Sequence, residues 1–327
     1  MKNVILVAGL STALLSPMAF AEVTLYGKAH LSVDYIDENG ATKSVTDLVS
    51  HDSRFGIEGK TKINDSLAAI FKYEIGVDID GSSTGSSFLS QRNQYVGLQG
   101  GFGKIFGGIH DTPVKELEGK IDQFGDTNAD IGVVLDHYVD SQERESRFLS
   151  YNSPDMGGLM FKIAAMPGKE GTDSKGGKVV PDFGDAFSTS LTYGDLKMKK
   201  MPFFIGVGYD SEVDGKVKGE GTSILRVSGS AKMGGLALGA IAEQANDGTE
   251  EQMRYVGSAA YSIGGGALKL QYVNAEKAVS TGKGSNQWAV GWEQEIGGGA
   301  STYLMYSKYD LEGKEADLAS LGLIYNF

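Results

Sequence analysis

The chain of 327 residues contains no cysteine. Disulfide cross-linking is therefore excluded as a source of stability, although small exported proteins often depend on it. Proline is scarce, with six residues. Together with the absence of a glycine period of three, this excludes collagen-like structure, and the aromatic content argues against disorder. After residue 21 no run reaches 18 consecutive apolar residues, which leaves no candidate for a membrane-spanning helix. A basic excess is missing too. The formal net charge is −12, so a partner that presents phosphates, such as a nucleic acid, is not expected. Histidine is limited to His30, His51, His110 and His137. No two of them stand at metal-ligand spacing, no nucleophile-elbow pentapeptide occurs, and "GGFGKIFGG" (100–108) reads as a turn and a strand rather than a phosphate loop. Neither catalysis nor a cofactor is expected.

What is present is glycine (47), tyrosine (15) and phenylalanine (14), a mix suited to many strands joined by tight turns. Residues 1–21 read as a secretory signal peptide. Lys2 precedes a short apolar run broken by Ser11, Thr12, Ser16 and Pro17, and "AFA" at Ala19–Ala21 fits a cleavage site. Residues 22–327 would then be a single domain with a net charge of −13, since Lys2 is the only charge removed.

That domain alternates with period two. In "VTLYGKAHLSVDY" (23–35), Val23, Leu25, Leu31, Val33 and Tyr35 share one parity, and Thr24, Tyr26, Lys28, His30, Ser32 and Asp34 share the other. Thirteen residues exceed the usual five or six of a soluble strand. Similar runs recur to the end, where "SLGLIYNF" places Leu321, Leu323, Tyr325 and Phe327 on the apolar parity. Seven short turns (63–66, 100–103, 153–158, 194–200, 232–235, 262–267, 295–300) interleave with eight polar, mostly longer connections (36–50, 80–87, 110–143, 167–184, 211–221, 246–251, 277–284, 310–315). Fifteen connections predict 16 strands.

An even strand number with turns at one end and loops at the other is the plan of a transmembrane antiparallel β-barrel. In hydrocarbon every backbone N–H and C=O must be paired, so the sheet must close on itself. The first and last strands are therefore expected to pair, with Phe327 in the aromatic belt. A soluble β-sandwich or lectin-like barrel would give the same alternation. Strand length, the two loop classes and the Arg, Lys and Glu on the polar faces speak against it.

Sixteen strands enclose more space than side chains fill, so a water channel is expected. Glu58, Lys60, Lys72 and Glu74 fall on the lumenal parity. The segment 110–143 is the candidate constriction. Asp111, Glu116, Glu118, Asp122, Asp126, Asp130, Asp136, Asp140 and Glu143 stand there against Lys115 and Lys120. A loop of that length without strand pattern needs a reason. A solvated loop is the plainer alternative. On the same parity logic, arginine is expected to be costly at Leu31, Phe71, Leu270 or Val290 and tolerated at Ser32 or Gln271.

Four segments resemble the gram-negative general porin family: "VTLYGKAHLSVDY" (23–35), "SRFGIEGKTKINDSLAAIFKYE" (53–74), "RNQYVGLQGGFGKIFGGIHDTP" (92–113) and "RESRFLSYNSPDMGGLMFKI" (144–163). The resemblance implies a homotrimer in the outer membrane of a gram-negative bacterium, in contact with its lipid and lipopolysaccharide. It also implies a third loop folded into each pore, wall arginines at Arg54, Arg92 and Arg144 facing loop acids, and recognition of Phe327 by the barrel-assembly machinery. The function it implies is general diffusion of small hydrophilic solutes and ions; the acid excess adds a modest cation preference. Arg147 departs from the family, which usually has asparagine there, and would either add a wall charge or shift the strand's register. The run "QRNQYVGL" also alternates poorly, which would suit a strand with partners on both sides. A substrate-specific channel and an adhesin or structural barrel remain as alternatives.

Overall fold

The computed structural model describes residues 22–40, 43–82, 88–168, 171–172, 178–180, 182–213, 221–277 and 282–327. The signal-peptide segment 1–21 lies outside them, as do parts of the connections at 36–50, 80–87, 167–184, 211–221 and 277–284.

The described chain is a closed antiparallel barrel of 16 staves. Each strand pairs with the next in sequence, and the first, Glu22–Glu38, pairs with the last, Lys314–Asn326, from Lys28↔Asn326 to Glu38↔Ala316. Closure leaves no sheet edge, as hydrocarbon demands. Among the described residues no helix is long and apolar enough to cross a membrane. The outward parity carries the apolar belt: Leu25, Val33, Val96, Leu225, Leu270, Trp288, Leu304 and Leu321 are all exposed on the isolated barrel. In water this would be a liability, but against lipid it is the stable arrangement.

The seven short turns fall where the sequence places them. Gly264 and Gly265, at φ 60° and 78°, turn the hairpin between Glu251–Ile263 and Gly266–Ala275. Positive φ at both positions gives a turn whose twist matches the strands, and only glycine adopts it without strain.

Three details depart from the sequence reading. The expected loop at 36–50 is mostly strand: Glu22–Glu38 runs on, and Val45–Ser50 pairs with Leu31–Ile36. Arg54–Asn64 continues that stave against Glu22–Lys28, so the second stave is one strand broken at residues 51–53. Its outer half has no clean alternation and is defined by its partner. The connection at 310–315 likewise shrinks to Glu312 and Gly313 between Ala300–Leu311 and Lys314–Asn326. Finally, "QRNQYVGL" lies in the strand Leu89–Gly100, where the register slips between Tyr73↔Gln94 and Ile75↔Gln91. A bulge explains the break at Arg92 and Asn93, and beyond it apolar residues do stand on both faces, with Tyr95 packed on Phe106 inside and Val96 exposed outside. Arg92 and Asn93 are neighbours in sequence, yet both reach polar partners in the lumen.

Candidate functional site

Residues 112–143 leave the strand Gly103–Asp111, cross the barrel interior and rejoin the wall at Arg144–Asn152. They contain a 3-10 turn, Lys115–Glu118, and one helical turn, Gly132–Leu135. The segment stays inside because one of its faces is apolar. Ile121, Ile131, Val134 and Leu135 pack against Phe204, Ile241, Val256 and Val273 on the wall. Phe124 and Ala129 pack against Ala289, Tyr303 and Met305, and Val114 and Val139 against Ile224 and Ala245. Half of the lumenal wall is thus a dry seat for the loop. Burial of this kind stabilises by roughly 25 cal/mol per Å² of apolar surface.

A ladder of charges fixes the seat. Arg226, Glu243 and Arg254 are direct cross-strand partners on three consecutive strands, and their side chains are fully buried. Arg226 Nε donates to Glu243 Oε2 at 2.6 Å, and Arg254 Nη1 to Oε1 at 3.0 Å. Arg254 Nε donates to Gln252 Oε1 on its own strand at 3.1 Å, and other donors reach the loop. Arg226 bonds Val114 O at 3.2 Å and Ser141 Oγ at 2.8 Å, and Arg254 bonds Val139 O at 2.8 Å and Leu135 O. Burying two guanidiniums against one carboxylate is costly, and loop oxygens offset part of that cost by accepting several of the remaining donors, although Arg254 Nη2 is buried without a hydrogen-bond partner.

The other side of the loop faces water and the opposite wall. One cavity there is lined by Asp52, Arg54, Arg92, Asp111, Lys115, Glu118, Lys120, Asp122, Asp126, Asp130, Asp136, Arg144 and Lys269. Arg54 Nη1 stands 3.0 Å from Asp126 Oδ2, which also accepts from Lys28 Nζ at 2.7 Å. Arg92 Nε donates to Glu74 at 2.8 Å and Nη1 to Asp52 at 2.5 Å. Arg144 Nε lies 2.9 Å from Asp111 Oδ1 and bonds Asn93 Oδ1 at 3.0 Å. The three arginines sit on Arg54–Asn64, Leu89–Gly100 and Arg144–Asn152, and all line the same cavity as the loop acids.

The individual acids differ. Asp111 ends its strand and does not belong to the loop proper. Glu116 turns away from the arginines to Lys162, 2.9 Å away. Asp122 folds back on the loop and accepts from the Phe124 and Ile131 amides at 2.8 and 3.3 Å. Burial, with Asp130 nearby, pushes Glu118 up to about 7. Burial also lifts Asp122 and Asp130 above the usual carboxylate range. Asp136 rises to about 9 through burial and its neighbour Asp140. For Asp126 burial acts upward, but Arg54 and Lys28 outweigh it and hold the group at about 2. The loop therefore carries two kinds of carboxyl, one permanently charged and paired, the others conditionally charged.

Of the four lumenal-parity residues, Glu58 and Lys60 are exposed to the channel, and Lys72 and Glu74 stand 3.4 Å apart, with Glu74 also accepting from Tyr26 at 2.7 Å. Ser32 and Gln271 are not the free positions that parity suggests. Ser32 bonds Asp34 at 2.6 Å, and Gln271 holds the loop through the Gln123 amide at 2.9 Å and Ala129 O at 3.0 Å. Of the two readings of Arg147, the structure has the register shift. Arg147 sits at φ 53° where Gly108↔Phe148 gives way to His110↔Glu145. Asparagine is among the residues that tolerate this conformation best.

Sequence reading included Asp126 among the loop acids without singling it out, and it missed Asp52 as a partner of Arg92, Lys28 as a second partner of Asp126, and the Arg226–Glu243–Arg254 ladder. A faint signal existed for the ladder, in charges on the lumenal parity of three neighbouring strands, but only register shows that they meet.

The Gram-negative porin family model matches residues 7–314. The major outer membrane protein P.IB of Neisseria gonorrhoeae is 28% identical over 176 residues, covering 51% of this chain and 49% of that protein. The chain thus spans about half the length of the curated relatives it matches. Among solved structures, the anion-selective porin of Comamonas acidovorans superposes with a TM-score of 0.76 at 19% identity, over 94% of this chain and 100% of that one. OmpF of Salmonella typhi, solved with daunomycin, gives 0.74 at 16% identity, over 93% and 97%. With its closed sixteen-stave barrel, its inward third loop and this match across most of its length, the chain belongs to the Gram-negative porin family.

Proposed function

We propose that the protein is a general diffusion porin of the outer membrane, a passive water-filled channel for small hydrophilic solutes and ions. One observation carries this reading: a loop pressed onto the inner wall leaves a cavity beside it, lined by Arg54, Arg92 and Arg144 and by carboxyls that include Asp111, Glu118, Asp122 and Asp126. Opposed charges across a narrow passage order water and polar solutes, and an apolar solute must break that order. In this reading the three arginines form the constriction wall. Asp126 is the loop acid set against them, with Asp111, Glu118 and Asp122 beside it; Glu116 contributes at one remove, through Lys162. Glu58, Lys60, Lys72 and Glu74 line the lumen.

The proposed ion preference is for cations, and modest. Eight loop acids, with Asp111 at the end of the adjoining strand, oppose two loop lysines, yet several are conditionally charged and the wall cations offset the rest. The proposed assembly is a homotrimer embedded in outer-membrane lipid and lipopolysaccharide, inserted by machinery that reads the terminal strand with Phe327.

Liposome swelling with a series of uncharged solutes tests the function. Rates that fall smoothly with solute mass support a general pore. Rates that follow solute identity would replace it with a substrate-specific channel, and no swelling would leave an adhesin or structural barrel.

A further inference from the structure

The break in the second stave surrounds a buried polar node. His51 Nε2 lies 2.9 Å from Asp34 Oδ2 and 2.7 Å from Ser32 Oγ, and Ser32 Oγ donates to Asp34 Oδ1 at 2.6 Å. One ring nitrogen serves both partners, so this is not a hydrolytic relay, which needs the serine and the acid on opposite ring nitrogens. The node also reaches the loop: Asn128 Nδ2 donates to Asp34 Oδ2 at 2.6 Å. His30 and Tyr303 close its other side, with His30 Nε2 2.8 Å from the Tyr303 hydroxyl. Asp34 is 1% exposed and His51 8%.

Each end of the node is adjacent to an acid that neutralises a wall arginine. Asp52 follows His51 and meets Arg92. It does so at φ 47°, a conformation that ordinary side chains avoid. The backbone is pinned on both sides of it, since the His51 amide donates to His30 O at 3.0 Å and the His30 amide to Ser53 Oγ at 2.9 Å. On the loop, Asp126 precedes Asn128 by two residues and meets Arg54 and Lys28. The stretch between them is braced by Thr127 Oγ1 donating to Phe124 O at 2.6 Å and by the Asp126 amide donating to Asp130 Oδ2 at 3.0 Å. A hold on Asn128 is therefore a hold on Asp126.

We propose that Asp34 and His51, with Asn128, are positioning residues for ion selectivity. They hold Asp52 against Arg92 and Asp126 against Arg54, and so set how much arginine charge the passage presents to a permeating ion. The inference rests on the channel reading above.

The test is the reversal potential of single pores in planar bilayers across a KCl gradient. Asn128→Ala and His51→Leu are expected to shift it toward chloride, because Arg54 or Arg92 loses a fixed counter-charge. His51→Gln keeps a side-chain donor for Asp34 and is expected to stay near wild type, a rescue that mere filling of space would not give. In an Asp126→Asn background, Asn128→Ala is expected to add no further shift, because its route runs through Asp126. Conducting Asn128→Ala pores with wild-type selectivity, or an undiminished shift in the Asp126→Asn background, would overturn the proposal and leave the channel reading intact. Should His51→Leu fail to insert, Asn128→Ala and the double variant decide alone. A wild-type protein that passes no ions removes the channel reading, and this inference with it.

Discussion

Phe327 exchanges a reciprocal pair of backbone hydrogen bonds with Gly27, at 2.9 and 3.1 Å, and its ring lies where a side chain on Gly27 would have to go. A Cβ on Gly27 would stand 2.2 Å from the ring. The seam of the barrel is thus completed by one aromatic residue seated on one glycine, and it joins positions about 300 residues apart. Loop closure over such a distance precedes any return in contacts, which makes the seam a late and costly step. Deleting Phe327, or replacing Gly27 with valine, is expected to reduce the yield of folded barrel. The change in electrophoretic mobility between unheated and heated samples measures it. A wild-type folded fraction from both variants would refute the role given to this pair.

A second expectation separates the two faces. Arginine at Leu270 or Val290, on the lipid-facing parity, should cost roughly 2–4 kcal/mol near the bilayer midplane. Arginine at Lys60, on the lumenal face and exposed to the channel, should cost little. Urea unfolding in lipid vesicles compares them. Equal losses at the two faces would mean that the apolar belt does not meet lipid.

The buried ladder gives a third. Glu243→Gln leaves Arg226 and Arg254 buried without their shared carboxylate. Breaking such a pair costs roughly 3–5 kcal/mol, and here the loss falls on the seating of the loop. The variant should still form a barrel, but with noisier open-channel current and faster proteolytic nicking within 112–143. A quiet, protease-resistant variant would show that the apolar seat suffices.

The conditional carboxyls give a fourth, with a definite sign. Glu118 at about 7 and Asp136 at about 9 lie above the ordinary carboxylate value near 4. Between those values the seated loop keeps protons that a free chain would release. Through these two groups, seating is therefore most stable below about pH 4 and weakens as pH rises from there, until Glu118 has ionised above about 7 and Asp136 above about 9. Over the same window the loop gains negative charge, so preference for K⁺ over Cl⁻ should grow from about pH 6 to pH 9.5, the span of those shifts. Reversal potentials at low salt read this out, because higher ionic strength screens the charges. A flat profile would place these carboxyls in water, ionised throughout.

Much of the fold is legible in the sequence because two strong local rules coincide. Lipid on one face and water on the other impose alternation, and short turns need glycine, as at Gly264 and Gly265. The outer half of the second stave is not legible, because "VTDLVS" becomes a strand only through its pairing with Leu31–Ile36. The site is less legible than the fold. Lumenal parity singles out Glu58, Lys60, Lys72 and Glu74, but Ser32 and Gln271 look the same by parity and are buried in contacts. Nothing local distinguishes Asp126, which meets Arg54, from Glu116, which meets Lys162. That choice is made by how an irregular loop folds. The bulge at Arg92 and Asn93 leaves only a stumble in the alternation.

The dry seat has a consequence for how such a pore can vary. The residues that receive the loop, from Phe204 to Met305, lie on strands that carry none of the three wall arginines. Calibre is therefore governed by one half of the barrel, through how deeply the loop settles, and the arginine charge is supplied by the other, while Lys269 on the seat side also lines the cavity. A substitution that shaves a methyl group from Ile241 or Val273 leaves Arg54 and Arg92 untouched, and an arginine exchanged for lysine does not move the seat. The wall arginines can therefore change without disturbing the seat, whereas a change in the seat also moves the loop acids that face them.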